Sequence, residues 1–321
     1  MDSVKSMLAQ FFPPAPTFTD KDVPKQPGRV FIVTGGNKGV GFELVKALYP
    51  TGATVYMASR SQERAETAIT KITSADPSLA SNLKFLHLDL GDLATIKASV
   101  AAFTAQESRL DIIWNNAGIG AGPVGAKTEQ NIEALIGVNC IGPLLFTQLL
   151  FPQLREAAKS APRGSVRVVW TSSFLAESYS PNGGVDFKLL EQGGGKNPLV
   201  DYAASKAGNW FLATETAKRV GDEGIIGVVQ NPGNLQTEIY DGQSKLLMLF
   251  VNRILYPPIF GAYTGLYAAF SPDITMEKQG AYIIPWGQIH TLPRKDIYDA
   301  IEQGQAERFW QWCEDQWKPY I

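Results

Sequence analysis

Val30-Phe31-Ile32-Val33-Thr34-Gly35-Gly36-Asn37-Lys38-Gly39-Val40-Gly41 is the stretch on which the fold turns. Its opening run is apolar and rich in β-branched side chains, the pattern of a buried strand. The strand leads into a glycine-rich turn. Phe42-Glu43-Leu44-Val45-Lys46-Ala47-Leu48 then places Phe42, Val45 and Leu48 on one helical face. Strand, glycine turn and helix form the unit that binds a dinucleotide pyrophosphate. Glycine lets the backbone approach the phosphates, and the helix N-terminus offers free N–H groups and partial positive charge. The spacing Gly35-x-x-x-Gly39-x-Gly41 differs from the usual G-x-G-x-x-G, so this loop alone also suits a plain turn in another α/β protein.

At 321 residues the chain can form one large α/β domain or two small ones, and 45% hydrophobic residues can fill a core. A net charge of -2 gives no electrostatic case for nucleic acid. Cys140 and Cys313 make no disulfide framework and have no ligand cluster around them, so no metal is expected. With only His87 and His290, a histidine-based triad is poorly supplied. No apolar run reaches the roughly 18 residues of a membrane span. The N-terminus lacks a signal-peptide core, so the expected location is cytoplasmic. Residues 1–28 read as an arm. Val4, Met7, Leu8, Phe11 and Phe12 form an amphipathic turn or two, ended by Pro13, Pro14 and Pro16. The simple expectation packs that apolar face over a groove; covering a pocket or touching a membrane are the others.

Ala53–Ala58 is the second strand. An acid near its end would bind a ribose 2′-hydroxyl and select NAD. Here the strand ends in Ser59-Arg60, and Arg60 together with Lys38 suits a 2′-phosphate, hence NADPH. Gln62–Ile72 is helical, and Asp76-Pro77 breaks it. Leu83–Leu88 is strand three, followed by Asp89-Leu90, where Asp89 at the ligand edge is a candidate for the adenine amino group. Asp92 reads as a helix N-cap. Asp111–Trp114 is strand four, ending in Asn115-Asn116-Ala117-Gly118.

Thr34-Gly35-x-x-x-Gly39-x-Gly41, then Asn115-Asn116-Ala117-Gly118, then Tyr202-x-x-x-Lys206 together resemble the short-chain dehydrogenase/reductase (SDR) superfamily, over residues 29 to about 285. Within it the chain is similar to the retinol-dehydrogenase-like group and to fungal NADPH-dependent reductases ending like Gly280–Gly287. The resemblance implies a single Rossmann-like, doubly wound α/β domain with a seven-stranded, mainly parallel sheet and helices on both faces. It implies cofactor contacts from Gly35, Asn37, Lys38, Gly39, Val40, Gly41, Asn116, Ala117, Gly118 and Leu90. It further implies a nicotinamide-facing loop at Pro232-Gly233, with Leu235 and Thr237 reaching the carboxamide and pyrophosphate. Asn139, within a helical segment over 129–156, maps onto the proton-relay asparagine; a satisfied core amide is the other reading. Ser173, at the end of strand five (Val166–Ser173), maps onto the serine that binds the substrate carbonyl, with Ser172 as the alternative.

Tyr202 and Lys206 lie one helical turn apart on one face. Carbonyl reduction needs a proton on oxygen as hydride reaches carbon. A phenol with a pKa of about 10 is poorly matched to neutral pH, and a neighbouring ammonium lowers it. Residues 174–199 read as a flexible insertion that walls the substrate pocket, or as a surface loop. Residues 238–270 read as a lid whose apolar run from Leu246 to Pro258 implies a hydrophobic substrate; core packing, an oligomer face or a membrane-contacting patch are the other readings of that run. Ile225–Gln230 and Ala281–Ile284 are the last strands, and 291–321 is a helical tail with an aromatic docking stripe. The catalytic domain is thus expected over 29–290. Its expected work is NADP-dependent oxidoreduction of a hydrophobic ketone, aldehyde or alcohol, in a secondary-metabolic or xenobiotic role; the oligomeric state is open, with a homodimer as one arrangement that the long loops and tail could block. The alternative is a non-redox use of the fold: isomerase, dehydratase, cyclase or cofactor-sensing regulator.

Overall fold

The computed structural model describes residues 2–236, 255–291 and 294–321. Among the described residues eight strands form one sheet: β1 (Val30–Thr34), β2 (Thr54–Ser59), β3 (Leu83–His87), β4 (Ile112–Asn115), β5 (Val166–Thr171), β6 (Ile225–Gln230), β7 (Tyr282–Ile284) and β8 (Gln288–Ile289). The order is β3-β2-β1-β4-β5-β6-β7-β8, and every pairing is parallel except β7 with β8. The seven expected strands are present. The eighth is a two-residue strand that folds back on β7 after the Pro285–Gly287 turn.

Strand alternation divides the core into two layers. Phe31 and Val33 of β1, with Ile112 and Trp114 of β4, pack against helices Gly39–Leu48 and Pro258–Phe270. Val30 and Ile32, with Ile113, Val168 and Trp170, face the opposite layer, built on Leu93–Thr104, Gly142–Leu149 and Pro198–Val220. Burial on both faces explains why β1 reads as an unbroken apolar run. Local chemistry sets the helix starts. Ser61 accepts from the Arg64 amide, Asp92 from Ala94, and Asn197 from Leu199 just ahead of Pro198.

Three local expectations change. The helix expected over 129–156 is divided into Ala134–Ile136, a π-helical turn Gly137–Ile141, Gly142–Leu149 and Phe151–Ala158. The insertion is folded: it forms helices Phe174–Ser178 and Phe187–Glu191, and the Gly183 amide donates to Asp296 Oδ2 at 2.7 Å. The N-terminal helix Asp2–Phe11 does not bury its apolar face; Ser6 and Gln10 point inward, and Val4, Met7, Leu8 and Phe12 are exposed. The tail docks as its stripe implied. Helix Gln305–Trp317 buries Phe309, Trp310, Cys313 and Trp317, and Phe309 lies so close to Gly208 that a Cβ there would approach its ring at 2.8 Å. Among the described residues no single helix is long and apolar enough to cross a membrane.

Candidate active site

Parallel register brings the strand ends into a row. Val33 pairs with Trp114 and Trp114 with Val169, so the C-terminal ends of β1, β4 and β5 share one edge. Strand order reverses between β1 and β4, which opens the crevice where doubly wound sheets bind ligands. Thr34 ties the two strands together there. Its Oγ1 donates to the Trp114 carbonyl at 3.1 Å and accepts from the Asn116 and Ala117 amides at 3.0 and 2.9 Å. Asn116 Nδ2 donates back to the Thr34 carbonyl at 2.8 Å.

The glycine turn is fixed by this staple. Gly35 has φ +68°, and a Cβ on Gly41 would stand 2.4 Å from the Gly35 carbonyl oxygen. Helix Gly39–Leu48 begins without a capping side-chain bond and without an acid in its first turn. An uncapped, positively polarised N-terminus behind a glycine cradle fits a pyrophosphate. Asn37 and Val40 are half-buried in this loop, and Lys38 is exposed at the helix start. Arg60 follows β2 and is exposed. Asp89 follows β3 half-buried, its Oδ1 accepting from the Gly91 amide at 2.8 Å. Leu90 turns its side chain into the core.

Asn139 occupies the middle of the π-helical turn, buried. Its Oδ1 accepts from the Ile119 amide at 2.8 Å; its Nδ2 donates to the Ile119 carbonyl at 3.1 Å and to Ser205 Oγ at 3.0 Å. Ser205 Oγ donates to the Tyr202 carbonyl at 2.7 Å, which links the turn to the Tyr202 helix. Gly118 leaves the room between: a Cβ there would lie 2.9 Å from Asn139 Oδ1 and 3.2 Å from Lys206 Nζ.

Tyr202 and Lys206 sit in helix Pro198–Val220, both buried. Lys206 Nζ donates to the Thr171 carbonyl at 3.2 Å and lies 5.7 Å from the Tyr202 ring centre. Burial pulls its ammonium down from 10.5 to about 8. Nearby Cys140, also enclosed, donates to the Ser205 carbonyl at 3.0 Å, and desolvation pushes its thiol upward. The two adjacent serines part company at the end of β5. Ser172 is buried and donates to the Lys206 carbonyl at 2.8 Å. Ser173 is half-exposed at the edge, caps the Leu175 amide at 3.2 Å, and offers its carbonyl to Tyr282 Oη at 3.1 Å.

Beyond β6, Gly233 has φ +92°, and Trp286 packs so closely that a Cβ would meet its ring at 2.7 Å. Pro232 and Leu235 lie against Gly261 of helix Pro258–Phe270. Tyr256 and Phe260 stand 4.9 and 5.1 Å from Trp286, ring to ring. Thr237 and residues 238–254 of the expected lid lie outside the described residues. Sequence reasoning did not single out Ser205, Thr171 or Trp286. Ser205 was detectable, since a serine between Tyr202 and Lys206 on a buried helix needs partners.

Fold and site together define a nucleotide-binding oxidoreductase architecture. Residues 29–185 match the short chain dehydrogenase family. The chain is 52% identical to the short-chain dehydrogenase/reductase iacJ of Pestalotiopsis fici, over 100% of both chains. It is 45% identical to a short-chain dehydrogenase/reductase of Phomopsis amygdali, over 100% of this chain and 98% of the other. Among solved structures, the NADPH-bound carbonyl reductase from chicken fatty liver superposes with a TM-score of 0.62 at 24% identity, covering 83% of this chain and 100% of that one. This chain belongs to the short-chain dehydrogenase/reductase family.

Proposed function

We propose that the protein is an NADPH-dependent reductase that converts a ketone or aldehyde of a hydrophobic small molecule to the alcohol, and can run in reverse. Residues 29–290 act as the catalytic domain. The observation that carries the reading is the grouping of Asn139, Ser205, Tyr202 and Lys206: Asn139 bonds Ser205, Ser205 bonds the Tyr202 carbonyl, and Lys206 lies beside Gly118 at the sheet edge, where Ser173 follows β5. The glycine cradle and bare helix start would hold the pyrophosphate, Arg60 and Lys38 the 2′-phosphate, and Asp89 the adenine. Asn116, Ala117, Gly118, Pro232, Gly233, Leu235 and Thr237 would line the nicotinamide half. NADPH when bound supplies the hydride.

The chain's own residues manage the proton. Ser173 Oγ and Tyr202 Oη donate to the carbonyl oxygen, and Tyr202 gives up its proton. Lys206, charged at neutral pH despite its burial, favours the resulting phenolate. Reprotonation runs through Lys206 and water at the π turn that carries Asn139, where the widened winding departs from regular backbone pairing. Tyr256, Phe260 and Trp286 form an aromatic wall beside Gly233, which supports an apolar substrate. Fluorescence titration with NADPH and NADH, followed by NADPH oxidation with apolar ketones and aldehydes, tests the reading. Tyr202→Phe should lower turnover by about a hundredfold to ten-thousandfold and leave NADPH affinity intact. Full turnover in that variant would remove Tyr202 as the acid.

A further inference from the structure

The N-terminal helix meets the domain through its polar side. Ser6 and Gln10 are 5% and 1% exposed, beneath a helix that leaves Val4, Met7 and Leu8 exposed. Under them lies the buried carboxylate of Glu177. Its Oε2 accepts from Ser6 Oγ at 2.8 Å and its Oε1 from Gln10 Nε2 at 2.9 Å. His290 Nε2 stands 3.0 Å from Ser6 Oγ and 3.2 Å from Glu177 Oε2. Ser6 and Glu177 thus address the same ring nitrogen, so no relay passes through the imidazole, and this cluster is not a hydrolytic triad.

Gln10 reaches in two directions. While its Nε2 holds Glu177, its Oε1 accepts from Asn231 Nδ2 at 2.7 Å. Glu177 belongs to helix Phe174–Ser178, whose N-cap is Ser173. Asn231 precedes Pro232-Gly233 and accepts from the Gly233 amide at 3.0 Å. Phe11 adds an edge-to-face contact on Phe174 at 5.1 Å. A cover would need only the apolar face, which buries without directional demands. A buried carboxylate costs free energy unless its hydrogen bonds are made, and it fixes its partners in place.

We infer that Gln10 is a positioning residue for the substrate end of the site, holding the Ser173 helix in register with the Asn231–Gly233 turn. The inference rests on the roles proposed above for Ser173 and Gly233, but its first readout does not need turnover. Gln10→Glu in the full chain sets a second carboxylate against Glu177. Gln10→Glu with Glu177→Gln restores a donor–acceptor match at the original net charge. Hydrogen–deuterium exchange of the cofactor-free protein should quicken about tenfold over residues 173–178 and 231–236 in the single variant, and return in the double. Trypsin cleavage after Lys5 reports release of the helix. Any carbonyl compound turned over by the wild type should show kcat/KM lowered about tenfold in Gln10→Glu, with the NADPH dissociation constant unchanged, and recovered in the double. A released helix with wild-type exchange in both segments would overturn the inference, as would exchange that stays fast in the double variant. Loss of NADPH binding or turnover in the wild type strikes the proposed function instead, and the exchange comparison still decides the role of Gln10.

Discussion

Lys206→Met should make the cofactor-free protein more stable at pH 7 while abolishing reduction. Lys206 is 4% exposed, and among the described residues no carboxylate forms an ion pair with it. Its ammonium hydrogen-bonds the Thr171 carbonyl, which also receives Asn209 Nδ2 at 2.8 Å and so keeps a donor when the lysine is gone. Desolvation lowers the ammonium from 10.5 to about 8. At about 1.4 kcal/mol per pKa unit, holding the charge inside costs roughly 3 kcal/mol. Losing one hydrogen bond returns about 1 kcal/mol of that, leaving a net gain of about 2 kcal/mol for a methionine of similar length. With about 2.1 cal/mol/K of unfolding entropy per residue, the melting temperature should rise by about 3 °C.

The pH dependence separates this cause from better packing. A lysine whose folded pKa is depressed destabilises fully below the folded value of about 8. Between that value and 10.5 the unfolded chain binds the extra proton, so wild-type stability climbs relative to the variant as pH rises. The advantage of Lys206→Met should therefore shrink to about zero near pH 9.5. Paired urea titrations of both proteins at pH 7 and pH 9.5 read it directly. A variant less stable than wild type at pH 7, or an advantage equal at both pH values, would refute the burial argument.

Arg60→Ala should weaken NADPH about tenfold in fluorescence titration and leave NADH unchanged; equal losses for both would remove Arg60 as the 2′-phosphate partner. Gly41→Ala drives a methyl group onto the Gly35 carbonyl, 2.4 Å away, and onto Asn116 Nδ2 at 2.7 Å. Because backbone cannot swing aside, it should cost about 2 kcal/mol in urea unfolding and abolish nucleotide binding. Asn139→Asp keeps the acceptor for the Ile119 amide but turns the donor facing the Ile119 carbonyl and Ser205 into a carboxylate oxygen. The variant should be destabilised by about 2 kcal/mol at pH 7. Urea unfolding reads the deficit, and a variant as stable as the wild type would argue against the geometry.

The sheet was legible because each strand carries a local signature: β1, β5 and β6 are buried on both faces and read as apolar runs. Segments governed by distant partners were less legible. A regular helix was expected over 129–156, but the extra residue of the π turn answers to Ile119 and Ser205, partners that no periodicity reveals. The insertion looked like a glycine-rich loop because its anchors are remote: Asp296 for Gly183, and Phe309 for Phe187.

The same distinction governs the site. Spacing alone put Tyr202 and Lys206 on one helix face, since four residues make one turn. Ser172 and Ser173 could not be separated that way. Consecutive residues at a strand end point to opposite sides, and only the fold shows that one side holds the Lys206 carbonyl while the other opens to the edge. The N-terminal helix reverses the usual inference altogether. Its apolar stripe predicts an inward face, yet Glu177, Asn231 and His290, more than 160 residues away along the chain, hold its polar face instead. Amphipathicity describes which face differs; the partner's chemistry decides which face goes in. A helix that docks polar-side down is fixed by directional bonds, and that is why its junction with the Ser173 helix is a matter of position as well as of cover.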